Sequence, residues 1–205
     1  MIATKSGNYT RKLRAKIPEY MIYEIIDGTP IHYKGYREVL AGKKQFSEIM
    51  GSSKLQSLII THLVILLGGL LKGSDFRLLT SELGIHLDKR NNLAGDIVIF
   101  DKGAIPITDM DVHYADVPPK VVIEVDVAAD PADMHPNTYL FTKTQKLLDF
   151  GAEKVIWITT QSRKVTVATP NANWQTMDWA NDVEVVNGIT FNIAEYLSEE
   201  GYPLA

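Results

Sequence analysis

The chain has no cysteine in 205 residues. That absence excludes disulfide staples, thiolate zinc sites, iron–sulfur clusters and cysteine nucleophiles, and it accords with a reducing, cytoplasmic setting. Long hydrophobic runs are missing too. The greasiest stretch, LIITHLVILLGGLL at 58–71, is broken by Thr61, His62, Gly68 and Gly69. It also falls short of the ~20 residues a spanning helix needs, so it reads as a core helix of a soluble protein. The first twenty residues, MIATKSGNYTRKLRAKIPEY, hold no apolar segment ahead of a small-residue cleavage site, and no secretory signal is expected. Neither sign of charge dominates: 21 Lys and Arg stand against 25 Asp and Glu, a formal charge of −4. That balance disfavours passive, charge-driven nucleic-acid coats and polybasic membrane binders. An enzyme that gathers carboxylates around a metal escapes this objection. Dinucleotide, P-loop, serine-elbow and HExxH motifs are all absent, and His32, His62, His86, His113 and His135 are scattered.

What is present is ordinary globular material, 45% apolar and 22% charged, enough for one domain with a full core. YMIYEII (20–26) ends at Asp27-Gly28, a hairpin turn, placing Glu24 on the first strand. Residues 35–51 read as a short helical insertion. Ser52-Ser53 offers a cap for a helix reaching about Lys72, with Gly73 as its stop. Strands are expected at 76–80, 83–87 and 96–100, and after Pro118-Pro119 a buried strand runs through KVVIEVDV (120–127). Asn137 or Thr138 is expected to cap a helix closed by Gly151. Strands at 155–159 and 165–168 follow, then an Asn187-Gly188 hairpin and a short terminal helix near 194–200. Trp157, Trp174 and Trp179 read as packing residues and His62 as a hydrogen-bonded core histidine. The pattern is α/β with mixed rather than regularly alternating elements.

The chemical signal lies in four residues. In KVVIEVDV, strand alternation places Val122, Glu124 and Asp126 on one side. A carboxylate in such an apolar strand costs several kcal/mol unless a cation or donor meets it. A strand with one solvated face explains the acids equally well. Asp96 opens IVIF behind Leu93-Ala94-Gly95; if its strand neighbours that of Glu124, the two carboxylates converge on one hard divalent ion. Lys143 lies on the next helix, with Lys146 three residues on, so either can point inward.

Glu on an early hairpin, Asp opening a strand, Glu in a KVVIEV strand and Lys on the following helix form a recognisable order. The segments YEIIDG, LAGDIVIFD, PPKVVIEVD and KTQKLLDFGAEKVIW resemble the Uma-two family, grouped with restriction endonucleases in the PD-(D/E)XK nuclease superfamily. The likeness extends over nearly the whole chain. Gly95, Asp126, Leu147 and Leu55 stand where the family pattern has proline, the superfamily's lysine, a helix tyrosine and a histidine. The resemblance implies a restriction-endonuclease-like mixed sheet flanked by helices, acting as a magnesium-dependent (or manganese-dependent) endonuclease. Asp96, Glu124 and the Val125 carbonyl would then hold the metal. Lys143, eight positions before Gly151, would orient or deprotonate the attacking water, and Glu24 would position that water or bind a second ion. It further implies DNA, ahead of RNA, as partner, and a homodimer that addresses both strands. The alternatives are an inert nuclease-fold module that binds nucleic acid or a protein, and an interaction protein whose acids are solvated strand faces.

Overall fold

The computed structural model describes residues 17–204; nearly all of the stretch read for a secretory signal lies outside them. The hairpin pairs β1 (Ile22–Ile26) with β2 (Thr29–His32). Its turn is Asp27-Gly28, with φ of 52° and 75°, the left-handed pair that matches strand twist in a two-residue loop. Then come α1 (Tyr36–Leu40) and α2 (Lys54–Leu70), whose N-cap Ser53 accepts a hydrogen bond from the Gln56 amide. Next are β3 (Phe76–Asp88), β4 (Asn91–Asp101), β5 (Val121–Val125), α3 (Pro136–Phe150), β6 (Lys154–Thr159), β7 (Lys164–Ala168) and β8 (Gln175–Asp178). The end of the chain adds β9 (Val183–Val186), β10 (Ile189–Phe191) and α4 (Ile193–Glu199).

Eight strands form one mixed sheet in the order β2-β1-β4-β5-β6-β7-β8, with β3 also paired to β4. β5 and β6 are parallel and α3 connects them, so a helix is laid across the sheet. Alternation along β5 divides the core. Val121, Ile123 and Val125 pack towards α2, α4 and the β9–β10 hairpin, while Val122 faces α3 with Val98, Phe100 and Trp157. Among the described residues no helix is long and apolar enough to cross a membrane.

Four local expectations change. The strands at 76–80 and 83–87 are one strand, β3, bent by a bulge at Ser81-Glu82 where the register skips from Thr80↔Ile97 to Leu83↔Gly95. Both bulge residues have positive φ, 72° and 53°, which a non-glycine pair does not announce in sequence. The α3 cap is His135, whose Nδ1 accepts from the Asn137 amide, with Pro136 opening the helix. Asp126 leaves the Glu124 face, because β5 ends at Val125 and Asp126 turns to φ 63°, where its carboxylate accepts from the Thr160 amide and hydroxyl. His62 stacks face to face on Tyr196, ring centroids 3.5 Å apart. Strand β8 is an addition, containing the middle of the WQTMDW segment; Trp179 beyond it is buried and Trp174 before it stacks on Phe141.

Candidate active site

A gap in one edge of β4 creates the site. Along that edge β5 pairs with Ile97–Ile99, while β1 meets β4 only at Ile25↔Asn92. Residues 93–96 between them face neither ladder, so backbone amides there need other acceptors. Carboxylates supply them on both sides of the gap, for Val125 at the end of β5 and for Ala94 in β4. Asp96 Oδ2 accepts from the Val125 amide at 2.7 Å, and Glu24 Oε1 accepts from the Ala94 amide at 2.8 Å. The Ile97↔Ile123 register sets Asp96 opposite Glu124, on the face that looks towards α3. Gly95 permits this: a Cβ there would come within 2.5 Å of Val98 Cγ2 and 3.8 Å of Glu124 Oε1.

α3 closes the site from above. Tyr139, Lys143 and Leu147 recur every four residues and share its buried face. Lys143 is fully buried, with its ammonium 2.8 Å from Glu24 Oε1 and 3.0 Å from Glu124 Oε1. Tyr139 donates its hydroxyl to Glu24 Oε2 at 2.5 Å. The rings of Trp157, Tyr139 and Tyr23 lie 5.6 to 6.0 Å from the ammonium, close enough for a cation–π contribution. Lys146 points outward and pairs with Asp27 at 2.6 Å. Of the two lysines, Lys143 is therefore the one inside.

Electrostatics follow from burial around too few cations. Burial holds the Glu124 carboxyl well above its ordinary pKa, with Lys143 pulling it back. Burial likewise raises Asp96, opposed by the Val125 amide and Lys143. For Lys143 burial favours the neutral amine, yet Glu124 and Glu24 outweigh it and leave its pKa above the usual lysine value. Glu124 Oε1 meets only the Lys143 charge and accepts no aligned hydrogen bond.

Three contributors escaped the sequence reading. Tyr139 sits four residues before Lys143, where the family pattern has its tyrosine four after; Leu147 is core. That i, i+4 relation was available as a signal. Gln56, next to Leu55, donates Nε2 to the Val125 carbonyl at 2.7 Å, a contact across 69 positions that no local pattern reveals. Glu82 comes in on the β3 bulge, and burial and then Asp96 raise its pKa.

The donor set admits a hard cation. Asp96 keeps Oδ1, Glu124 would give Oε2 because its Oε1 is paired with the Lys143 ammonium, and the Val125 carbonyl has a second lone pair beside the Gln56 amide. Among the described residues no three His, Asp or Glu side chains are gathered for a metal. Two carboxylates and one carbonyl still suit magnesium, which keeps several waters and rarely takes an all-protein cage.

No protein-family model matches the chain, and no curated protein matches it in sequence. Among solved structures it is similar to a crystal structure of a putative nuclease belonging to DUF820 from Anabaena variabilis ATCC 29413. The TM-score is 0.65 at 18% identity, over 85% of this chain and 89% of that one. At that identity the likeness is one of fold: the chain shares with that protein a mixed α/β architecture, here a large mixed sheet flanked by helices.

Proposed function

We propose that this chain is a metal-dependent endonuclease that hydrolyses phosphodiester bonds in DNA. The observation that carries the reading is the meeting of Asp96, Glu124 and Lys143 at the β4 gap, on a fold shared with a nuclease candidate. Asp96, Glu124 and the Val125 carbonyl would hold magnesium or manganese. When bound, such an ion supplies Lewis-acid stabilisation of a non-bridging phosphate oxygen and an acidified water.

The chain's own residues do the rest. Lys143 stays an ammonium at neutral pH, since its carboxylate neighbours raise its pKa. It therefore acts as a fixed positive charge that favours the ionised form of Glu124 against its burial and holds that side chain in place, and not as a proton acceptor. Glu24 is a positioning residue: both its oxygens are taken, by the Ala94 amide and Lys143 on one side and Tyr139 on the other. Gln56 fixes the Val125 carbonyl, and the Asp96–Val125 hydrogen bond ties the two strands that carry the acids. The two ligand strands are thus locked before substrate arrives, which lowers the reorganisation demanded during reaction.

The test is nicking of supercoiled plasmid with magnesium, manganese or a chelator, comparing wild type with Asp96→Asn and Glu124→Gln. Metal-dependent nicking that falls on the order of 10²-fold or more in both variants is the expected result. No nicking with either metal, or equal nicking by the variants, would transfer the reading to an inert nuclease-fold binding module.

A further inference from the structure

A pocket of about 270 Å³ opens beside the acids, sharing Glu24 with them and lined also by Tyr23, Tyr33, Glu82, Asn92 and Tyr114. The proposed hydrolysis uses none of these except Glu24. Its rim carries an aromatic ring seated by backbone. Ala115 bridges Ile85, donating its amide to the Gly84 carbonyl at 2.9 Å and accepting from the His86 amide at 2.8 Å. This clip lays the Tyr114 ring flat against Gly84, where a Cβ would come within 2.4 Å of the ring. Glycine inside a strand weakens it and marks close approach by another group; here the approaching group is Tyr114. Yet Tyr114 buries little for that cost, the residue staying 61% exposed. Tyr33 is held in turn by Tyr23 (centroids 5.1 Å) and Phe46 (5.7 Å).

We infer that this pocket receives an unpaired nucleobase bearing an exocyclic amino group, from the strand whose phosphate meets Asp96 and Glu124. The inference rests on the nuclease reading for the source of that strand. Size permits it, since a cavity of ~150 Å³ already admits a benzene ring. Fixed, exposed aromatic rings are the platforms on which unpaired bases stack. The polar lining selects among bases. Glu82 offers a carboxylate, an acceptor for an amino group such as cytosine N4. Asn92 has its Oδ1 engaged by His86 Nδ1 at 2.6 Å, so its amide N–H groups remain to donate to a ring nitrogen or carbonyl. With an acceptor and a donor both on its lining, the pocket offers partners for the amino group and the ring nitrogen of cytosine or adenine. Thymine would set its O4 acceptor against the Glu82 carboxylate.

The experiment is fluorescence anisotropy of labelled single-stranded deoxycytidine, deoxyadenosine and thymidine decamers, in chelator and at fixed salt, so that nothing is cut. Wild type is expected to bind the cytosine and adenine decamers on the order of tenfold tighter than the thymine one. Tyr114→Ala should weaken cytosine binding on the order of tenfold, Tyr114→Phe should retain it, and Glu82→Gln should erase the preference over thymine. Gly84→Ser displaces the ring without touching the tyrosine and should copy Tyr114→Ala, with a thermal melt verifying that each variant is folded. Equal binding of cytosine and thymine decamers by wild type, no binding of either, or unchanged binding by Tyr114→Ala overturns the inference. Plasmid nicking, measured separately, distinguishes the two readings. Tyr114-dependent binding without nicking leaves the pocket and removes the nuclease, while nicking without Tyr114 dependence does the reverse.

Discussion

Lys143 is the residue on which the site balances. It is a fully buried ammonium between two buried carboxylates, and removing one member of such a group leaves the others uncompensated. Lys143→Met should therefore lose about 3–5 kcal/mol of stability along with activity, measurable by urea denaturation and nicking on the same preparation. A loss below about 1 kcal/mol, the worth of an exposed pair, would contradict the buried arrangement. The pH dependence follows from the same neighbours. Burial raises Glu124 and Asp96, so their protonated forms persist above the usual carboxylate pKa of about 4. Only the ionised forms hold a cation, so manganese binding should fail on acidification at a pH above that value. Because the Lys143 charge favours both ionised forms, Lys143→Met should move the midpoint to still higher pH. Paramagnetic-resonance titration of manganese binding, which needs no turnover, checks both; a midpoint at or below about 4 counts against them. The sequence placed the acid pair and left two lysines open. Only the rotation of α3, set by Tyr139 and Leu147 packing on the sheet, chooses Lys143 and sends Lys146 to Asp27.

At the scale of elements, α2 shows what local chemistry specifies well. Ser53 caps it, its apolar positions bury Ile59, Leu63 and Leu67, and it stops before Gly73, all of which a periodic reading anticipates. Gly68 and Gly69 are different. A Cβ on either would touch nothing within 4 Å, so no contact within the described residues explains glycine in the last turn of α2. Gly68→Ala and Gly69→Ala should each stabilise the protein by about 1 kcal/mol, a rise of about 2–4 °C in melting temperature. A fall in melting temperature would mean that another surface approaches this face. β3 is the opposite case. Its continuity through Ser81-Glu82 was not legible, because a bulge of two non-glycine residues at positive φ arises from pairing with β4 and not from local propensity. That same bulge delivers Glu82 to the pocket.

At the scale of the whole molecule, binding of a cation to a folded site shifts the unfolding equilibrium. Manganese at a hundredfold its dissociation constant should add about 2.7 kcal/mol of apparent stability. Calorimetric melts of wild type should rise with manganese, and those of Glu124→Gln should not; an equal rise in both would place the ion elsewhere. The sequence by itself determined the hairpin with Glu24, the cap and length of α2, the apolar β5 with its misplaced-looking Glu124, and the closing helix ended by Gly151. Each is written in residues within one turn or one strand of each other, where spacing and side-chain chemistry act directly. Tertiary structure decided the rest. It let β1 and β5 share one edge of β4 and leave residues 93–96 between them. It turned Asp126 away to Thr160, brought Gln56 to the Val125 carbonyl, and set Tyr114 on Gly84. These contacts join positions tens of residues apart, and their register is a property of the assembled sheet, invisible in any short window of the chain.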